Sequence, residues 1–272
     1  MSSYFVIGNP INHSFSPLIH NYWFKKYKIN SIYEKKKIEI NDLKNFVTEM
    51  RNSENIEGVN VTVPFKNKII PFLDKLSPTA EETFSVNTVV KKNKKLIGHN
   101  TDATAFQKTL EKNDTTSVSG ILIIGAGGVT ASIIWAIRKL NFKSKIFIIN
   151  RTKEKAVSLL KRLDIGDARN QIEILNWGEI PDVNLIVNTT SVGLNQNDDL
   201  QLDFDKFKNK KDSMFYDLIY NPKETRFLND AKKRGNSITN GKMMFLLQAK
   251  QAFKLWTNVE AEIDEEILKI ID

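Results

Sequence analysis

The sequence contains no cysteine and only three histidines among its 272 residues. The absence of cysteine excludes disulfide bonds, thiolate metal sites and cysteine nucleophiles, and no metal site of another kind is predicted. No signal peptide is recognisable either, because Met1 to Phe5 lack a basic start and a long apolar core. We therefore expect a cytoplasmic protein, long enough for two domains or one large one.

Acidic residues are in the minority. Lysine and arginine number 40 against 32 aspartates and glutamates, which gives a net charge of +8. The excess is spread over short runs such as Lys35 to Lys37 and Lys208 to Lys211, and no basic block is interleaved with aromatic residues for base stacking. The pattern favours solvated surfaces and an anionic small-molecule ligand over a nucleic acid.

A glycine-rich stretch at the middle of the chain carries the strongest signal. Ile121 to Ile124 form an apolar run typical of a buried parallel strand, and an apolar helix pattern containing Ile133 to Ile137 follows. Between them lie Gly125, Gly127 and Gly128. A strand, a glycine turn and a helix start in this order can cradle the pyrophosphate of a dinucleotide.

Two other interpretations of this stretch stay open. Residues 119–137 contain no charge, so they could form a transmembrane helix of about 20 residues. The glycine cluster at the centre favours the buried strand and turn. A glycine turn that binds no nucleotide is the second alternative, because the motif also occurs by chance and its sixth position is Thr130 where glycine or alanine is usual.

The next predicted strand specifies the cofactor. Lys145 to Ile149 is β-like and ends in Asn150, Arg151 and Thr152, where the adenosine ribose is expected. A site that prefers NAD usually has an acid there, whereas Arg151 suits a 2′-phosphate, and Lys153 and Lys155 add positive charge. The sequence therefore predicts an NADP site.

The N-terminal part predicts an alternation of strands and helices that carries hydroxyl groups. A strand at Tyr4 to Ile7 precedes Ser14 and Ser16, and a helix is expected from Pro17 to about Lys28. Because proline favours the first helical position, Ser16 is either an N-cap or a ligand residue. Ser14 has no structural role that the sequence predicts.

Lys66 follows a strand that begins near Gly58 and presents Asn60 and Thr62 at its end. Pro64 should end the ladder, and Lys66 should begin a helix. A helix dipole disfavours a cation at that position, so Lys66 is a candidate functional residue, with an ordinary exposed lysine as the alternative.

Further polar groups stand at predicted element ends. A hairpin is predicted over 85–99, and the helix after it should begin at Asp102 and end near Glu111. Asp102 is either a functional acid, a helix cap or an acid of the first helical turn. Strands at 183–188 and 214–218 are followed by polar residues at their carboxyl ends, where α/β sheets bind ligands.

The C-terminal part is predicted to be helical. Asn240 begins a helical region in which Gln248 lies on an apolar stripe, so that its amide must find hydrogen-bond partners. A last helix is expected to carry Val259, Ile263, Ile267 and Ile270.

Taken together, these motifs resemble the shikimate dehydrogenase family over nearly the whole chain. The resemblance rests on residues 8–17, 60–66, 86–88, 100–102, 120–132, 150–152, 216–222 and 240–248. It implies an α/β fold, with a substrate domain at 1–101, a Rossmann-type doubly wound NADP-binding domain at 102–240, and C-terminal helices at 241–272 that return to the substrate domain. It also implies an NADP-dependent oxidoreductase that reduces 3-dehydroshikimate to shikimate and acts as a monomer or homodimer.

The same resemblance assigns the site residues. Lys66 and Asp102 match the catalytic pair. The residues expected to face the substrate are Ser14, Ser16, Thr62, Asn87, Thr101, Asp102, Tyr220 and Gln248. Those expected to bind the cofactor are Gly125, Ala126, Gly127, Gly128, Val129, Asn150, Arg151, Thr152, Lys153, Lys155, Leu218 and Gly241. The chain departs from the family pattern at Thr130, Leu218, Lys242 and Met243.

The residues fit this chemistry. Reduction of a ketone by hydride needs a proton donor at the oxygen, which Lys66 can provide, with Asp102 beside it to favour the charged form and orient a hydroxyl. Two other functions remain open. One is a dehydrogenase of the same fold that accepts quinate with NAD, and Arg151 argues against NAD but not against quinate. The other is a non-catalytic sensor that binds the substrate acid. Retention of both Lys66 and Asp102 argues against the sensor.

Overall fold

The computed structural model describes residues 1–111, 118–163, 171–195, 197–206 and 213–271. Contacts between Cα atoms divide the chain into two compact units. Unit 1 comprises Met1–Ala105 and Leu246–Asp272, and unit 2 comprises Phe106–Phe245. The boundaries expected after residues 101 and 240 stay predictions.

Strands and helices alternate along most of the chain. The strands are β1 (Ser2–Gly8), β2 (Ser31–Lys37), β3 (Ile56–Val61), β4 (Lys75–Leu76), β5 (Thr88–Lys92), β6 (Lys95–His99), β7 (Gly120–Ile124), β8 (Lys145–Ile149), β9 (Ile172–Ile174), β10 (Leu185–Asn188), β11 (Met214–Asp217) and β12 (Ser237–Thr239). The helices are α1 (Ser16–Lys26), α2 (Leu43–Asn52), α3 (Pro78–Thr83), α4 (Thr101–Glu111), α5 (Thr130–Lys139), α6 (Lys153–Arg162), α7 (Arg226–Lys233), α8 (Lys242–Thr257) and α9 (Glu265–Ile270).

Unit 1 is built on a mixed sheet with the strand order β2-β1-β3-β5-β6-β4. Strand β1 is parallel to β2 and to β3, whereas β5 is antiparallel to β3 and β6. The predicted hairpin is confirmed. Its two turn residues, Asn93 and Lys94, have positive φ angles of 51° and 62°, as a tight hairpin turn with the right twist requires.

An aromatic cluster joins helix α8 to helix α1 within unit 1. The ring of His20 stacks on Tyr33 with centroids 4.4 Å apart, and the rings of Trp23, Phe253 and Trp256 surround it. The C-terminal helical region therefore packs against the N-terminal unit, as the resemblance implied.

Unit 2 contains a fully parallel sheet with the strand order β12-β11-β10-β7-β8-β9. Counted from β7, this is the doubly wound order of dinucleotide-binding domains, in which the strand order reverses between β7 and β10. All five residues of β7 are buried, which explains its uninterrupted apolar sequence. Within the described ranges, no helix is both long and apolar enough to cross a membrane.

Two local predictions are wrong, and one of the two alternatives for Ser16 is excluded. Ser16 is not an N-cap, because α1 begins at Ser16 itself with Phe15 in the cap position. The Ser14 hydroxyl accepts a hydrogen bond from the Ser16 N–H at 3.3 Å.

Lys66 lies in a turn and begins no helix. Only six residues separate Pro64 from Pro71, too few to offset the cost of nucleating a helix. The last helix spans only Glu265–Ile270, so Val259 and Ile263 precede it.

Candidate active site and cofactor site

Lys66 and Asp102 form an ion pair within unit 1. The Nζ atom of Lys66 lies 2.6 Å from Oδ2 of Asp102, and the two side chains are only 13% and 10% exposed. An ammonium and a carboxylate at this distance form a charge-assisted hydrogen bond, which is stronger than a neutral one. The pair places a proton donor and an anionic acceptor side by side in a partly desolvated position.

Local structure fixes both members of the pair. Asp102 is the second residue of α4, where Asn100 caps the helix by accepting hydrogen bonds from the N–H groups of Asp102 and Ala103. The carboxylate thus stands in the first helical turn, one of the alternatives that the sequence left open, and the helix dipole favours it there. The Lys66 backbone is held by the Val86 N–H, which donates to its carbonyl oxygen at 2.8 Å.

A hydrogen-bond network gathers three of the predicted substrate residues. Oδ1 of Asn87 accepts from the N–H of Thr101 at 2.8 Å, and Nδ2 of Asn87 donates to Oγ1 of Thr101 at 2.8 Å and to Oε1 of Gln248 at 3.4 Å. All three residues are buried. Gln248, which lies on the apolar stripe of α8, thus has Asn87 as a hydrogen-bond partner. Asn87 fixes the positions of both Thr101 and Gln248.

Ser14, Ser16 and Thr62 follow the ends of β1 and β3, which are neighbouring parallel strands. The Ser14 hydroxyl donates to the Ser16 hydroxyl at 3.1 Å. A Cβ atom on Gly8 would come 2.5 Å from the Thr62 methyl group, so a glycine is needed where these two strand ends approach each other. Carboxyl ends of parallel strands lie at one sheet edge, which brings the predicted residues to the same side.

Asn60 has a structural role that the sequence pattern did not reveal. Its Oδ1 atom accepts a hydrogen bond from the Tyr33 hydroxyl at 2.6 Å, and its Nδ2 atom donates to the carbonyl oxygen of Asn87. Because Asn60 is buried and both atoms of its amide are hydrogen-bonded, it links β3 to β2 and to Asn87, which precedes β5. Thr62 is the more accessible of the two polar groups at this strand end.

Tyr220, which the resemblance assigns to the substrate, belongs to unit 2. Its ring stacks on that of Phe245, with centroids 4.2 Å apart and planes 10° from parallel. The stacking orients the phenol ring, and Phe245 is partly buried.

The glycine turn has the geometry that a phosphate cradle needs. Gly125 follows β7 with φ of 112°, and a Cβ atom there would also come 2.6 Å from Oγ1 of Thr189. A Cβ atom on Gly127, by contrast, would meet no atom of the described residues within 4 Å. Gly127 therefore leaves space in front of α5, whose N-terminal N–H groups can bind an anion.

Thr130 departs from the usual motif because it ties the turn to a neighbouring strand. Its hydroxyl is buried, lies 2.9 Å from the hydroxyl of Thr189 and donates to the carbonyl oxygen of Gly125 at 3.3 Å. The hydroxyl of Thr189 in turn donates to the carbonyl oxygen of Ile124. The two threonines lock the turn onto the ends of β7 and β10.

The end of β8 carries an exposed cationic group beside the turn. Oδ1 of Asn150 accepts a hydrogen bond from the Ala126 N–H at 3.2 Å, which joins this strand end to the glycine turn. Arg151, Thr152, Lys153 and Lys155 are exposed, and Lys153 also donates to Asn176. This arrangement suits a 2′-phosphate on an adenosine ribose.

Leu218 and Gly241 are in direct contact. A Cβ atom on Gly241 would lie 2.0 Å from the carbonyl oxygen of Leu218, so no other residue fits there without a shift. The N–H of Gly241 also donates to the carbonyl oxygen of Ile219 at 3.0 Å. The structure thus brings together two residues that are 23 positions apart in the sequence.

Asp217 is a buried acid in unit 2 that sequence reasoning missed. It is the last residue of β11, is 0% exposed and accepts hydrogen bonds from three groups: Oγ1 of Thr225, the N–H of Ile219 and Nδ2 of Asn188. Burial raises the pKa of its carboxyl to about 6, although the three hydrogen bonds favour the charged form. The sequence feature that could have revealed this buried acid is its position directly after the apolar run Met214 to Tyr216.

Comparisons with known proteins agree with these observations. The family model of the shikimate dehydrogenase substrate binding domain matches residues 6–89. A shikimate dehydrogenase (NADP(+)) of Pelagibacter ubique is 46% identical over 271 residues, which cover 99% of this chain and 98% of that protein. The corresponding protein of Pyrococcus furiosus is 36% identical, with 96% of this chain and 92% of that protein covered.

Solved structures show the same fold. The crystal structure of shikimate dehydrogenase from Aquifex aeolicus has a TM-score of 0.84 and 38% identity, and the match covers 96% of this chain and 94% of that one. Shikimate 5-dehydrogenase from Thermus thermophilus, solved with NADP(H) and shikimate, has a TM-score of 0.83 and 29% identity, with 96% and 95% covered. With near-complete coverage at up to 46% identity, the chain belongs to the shikimate dehydrogenase family.

Proposed function

We propose that this protein catalyses the reversible, NADPH-dependent reduction of 3-dehydroshikimate to shikimate, a step of aromatic amino acid biosynthesis by way of chorismate. The observation that carries the proposal is the 2.6 Å pair of Lys66 and Asp102 in unit 1. The relatives named above, which are shikimate dehydrogenases that use NADP(+), support both the reaction and the cofactor. Quinate with NAD, or a sensor without activity, finds no comparable support.

Lys66 is the proposed proton donor. When bound, NADPH supplies the hydride that the carbonyl carbon receives. The Lys66 ammonium gives a proton to the carbonyl oxygen, so that the ketone gains one hydride and one proton and becomes an alcohol. Asp102 holds the ammonium in place and accepts a hydrogen bond from a substrate hydroxyl, and in the reverse direction the neutral amine removes the proton.

The remaining polar residues bind the substrate. In unit 1, the network of Asn87, Thr101 and Gln248 and the linked hydroxyls of Ser14 and Ser16 supply donors and acceptors for a small polyhydroxylated carboxylate. Thr62 and Tyr220 are assigned the same role. A site of this kind rejects analogues that lack a hydroxyl, because its own polar groups would then remain unpaired.

The cofactor residues follow from the strand order of unit 2. The pyrophosphate is assigned to residues 125–129 at the end of β7, where the space in front of Gly127 and the N-terminus of α5 fit it. In the sheet, β8 lies on one side of β7, whereas β10 and β11 lie on its other side. The adenosine half is assigned to the β8 side. The nicotinamide half is then assigned to Leu218 and Gly241.

The 2′-phosphate is assigned to the end of β8. Arg151 can bind it through two parallel N–H groups, with Thr152, Lys153 and Lys155 close by in sequence and Asn150 fixing the strand end against the turn. This assignment explains a preference for NADP over NAD in terms of charge.

One assay tests substrate and cofactor together. The purified protein is mixed with shikimate or quinate and with NADP or NAD, and reduced nicotinamide is followed by its absorbance. The proposal predicts the highest kcat/KM for shikimate with NADP. Equal or higher kcat/KM with NAD, or turnover of quinate alone, would contradict it.

Location and assembly are separate proposals. A cytoplasmic location, no nucleic-acid partner and a monomeric or homodimeric state follow from the sequence-based expectations. Light scattering coupled to size-exclusion chromatography distinguishes a monomer of 31.2 kDa from a dimer. A higher oligomer would contradict the assignment.

A further inference from the structure

The buried carboxylate of Asp217 connects three chain segments in unit 2. Its Oδ1 atom accepts hydrogen bonds from the Ile219 N–H at 3.0 Å and from Nδ2 of Asn188 at 3.1 Å. Its Oδ2 atom accepts one from the hydroxyl of Thr225 at 2.6 Å. A buried carboxylate with this many donors is costly to replace, because each donor loses its acceptor.

Each donor stands where an element begins or ends. Asn188 is the last residue of β10, and its Oδ1 atom accepts hydrogen bonds from the N–H and the hydroxyl of Thr190. Ile219 lies in the turn after β11. Thr225 caps α7 by accepting from the Leu228 N–H. One carboxylate therefore sets the paths of the chain after two adjacent parallel strands.

The same turn presents the residues assigned to the nicotinamide half of the cofactor. The N–H of Leu218 donates to the carbonyl oxygen of Asn188 at 3.1 Å, which ties the turn to the end of β10. A Cβ atom on Gly241 would collide with the carbonyl oxygen of Leu218, and the carbonyl oxygen of Ile219 accepts the N–H of Gly241. A shift of the Ile219 N–H therefore moves the Leu218 backbone and its contact with Gly241.

The charge on Asp217 matters as well as its shape. An isosteric asparagine keeps only one acceptor oxygen. If that oxygen replaces Oδ1, the NH₂ group faces the Thr225 hydroxyl, which can accept from it only by turning its own hydrogen away. In the other orientation the NH₂ group faces two donors, the Ile219 N–H and Nδ2 of Asn188. One backbone or side-chain donor must then turn away or stay unpaired.

We infer that Asp217 is a positioning residue that holds the ends of β10 and β11 in the arrangement that binds the nicotinamide half of NADP(H). The inference rests on the proposed function, since that function assigns Leu218 and Gly241 to this half. It gives Asp217 no contact with the reacting atoms.

The test compares a whole cofactor with its adenosine half. Binding of NADPH to the Asp217→Asn protein is measured by its fluorescence, and binding of 2′,5′-ADP, which lacks the nicotinamide, is measured by calorimetry. We expect the Kd of NADPH to rise about tenfold or more, because one hydrogen bond to a charged group is lost. The Kd of 2′,5′-ADP should stay within about twofold of wild type. Arg151→Ala should instead weaken both ligands.

Tyr216→Phe is the matched control. Tyr216 precedes Asp217 on β11, points to the opposite face of the sheet and loses only its hydrogen bond to Thr109 on substitution. Its binding of both ligands should match wild type. If Asp217→Asn weakens both ligands equally, or neither, the positioning role is wrong.

A second pair of variants covers failure of Asp217→Asn to fold. Thr225→Val removes one donor to the carboxylate and should weaken NADPH more than 2′,5′-ADP, whereas Thr225→Ser keeps the hydroxyl and should restore wild-type binding of NADPH. Equal binding of NADPH by the two variants would overturn the inference. If the wild-type protein itself binds no NADPH, the proposed function fails, and the inference with it.

Discussion

Lys66 Nζ lies 2.6 Å from Asp102 Oδ2, although the two residues are 36 positions apart in the chain. One comes from a turn after β3 and the other from the first turn of α4. Their pairing predicts that they act as a unit.

Lys66→Ala and Asp102→Asn should each lower kcat by about 10²–10⁴-fold, the usual range for positioned acid–base groups. The double variant should be little slower than the slower single variant, because each substitution disables the same pair. Initial rates at saturating substrate and cofactor measure this. The exposed Lys68→Ala, in the same turn, is the control. Losses that simply multiply would show that the two residues act independently.

Arg151→Ala should weaken NADP use and leave NAD use nearly unchanged. A charge-assisted hydrogen bond contributes roughly 1.5–3 kcal/mol, so kcat/KM for NADP should fall about ten- to a hundredfold. Arg162→Ala, an exposed arginine at the other end of α6, controls for the loss of a surface charge. Equal losses with both cofactors would remove Arg151 from the 2′-phosphate site.

Gly127→Ala should separate cofactor binding from folding. In the part of the chain that the structure describes, the new Cβ would meet no atom within 4 Å, so the free energy of unfolding without ligand should change by less than about 0.5–1 kcal/mol. The methyl group would occupy the space assigned to the pyrophosphate, and the Kd of NADPH should rise about tenfold or more. Thermal unfolding and fluorescence titration measure the two effects. Unchanged NADPH binding would place the pyrophosphate elsewhere.

His20 should make the protein less stable in mild acid. Burial lowers the pKa of His20 to about 3, and both ring nitrogens are buried with no hydrogen-bond partner among the described residues. Because the folded pKa lies below the unfolded value of 6.5, the contribution to stability is present above that value and is lost as the pH falls toward about 3.

The size of this effect follows from proton linkage. His20 should lower the free energy of unfolding by roughly 2 kcal/mol between pH 7 and pH 5. His20→Phe should remove this part of the pH dependence and keep the aromatic packing, as urea unfolding at several pH values would show. Replacement of the exposed His13 by Gln is the control. An unchanged pH dependence in His20→Phe would assign the effect to other groups.

Features with a local cause were predictable from the sequence. The predicted strands at 121–124 and 145–149 are confirmed, and β10 covers 185–188 of the predicted 183–188. Strands buried on both faces have runs of apolar residues, which the sequence shows most clearly at 121–124. The glycine turn and the hairpin are confirmed for a similar reason, since positive φ angles select few residue types. The resemblance to the family extended this from local elements to the doubly wound sheet of unit 2.

Features that depend on distant partners were not predictable. The structural role of Asn60 comes from Tyr33, 27 residues away. That of Asp217 comes partly from Asn188, 29 residues away. The expected helix at Lys66 failed because a second proline, Pro71, leaves only six residues after Pro64 in which a helix could form. Ser16 failed as a cap because the helix begins one residue earlier than Pro17 indicated, which places Phe15 in the cap position.

The most direct test of the account is consumption of NADPH in the presence of 3-dehydroshikimate, followed by absorbance together with the amount of shikimate formed. The account predicts that the wild-type protein forms one shikimate for each NADPH oxidised, and that Lys66→Ala binds both ligands but turns over about 10²–10⁴-fold more slowly. No oxidation of NADPH by the wild-type protein, or wild-type turnover by Lys66→Ala, would contradict it.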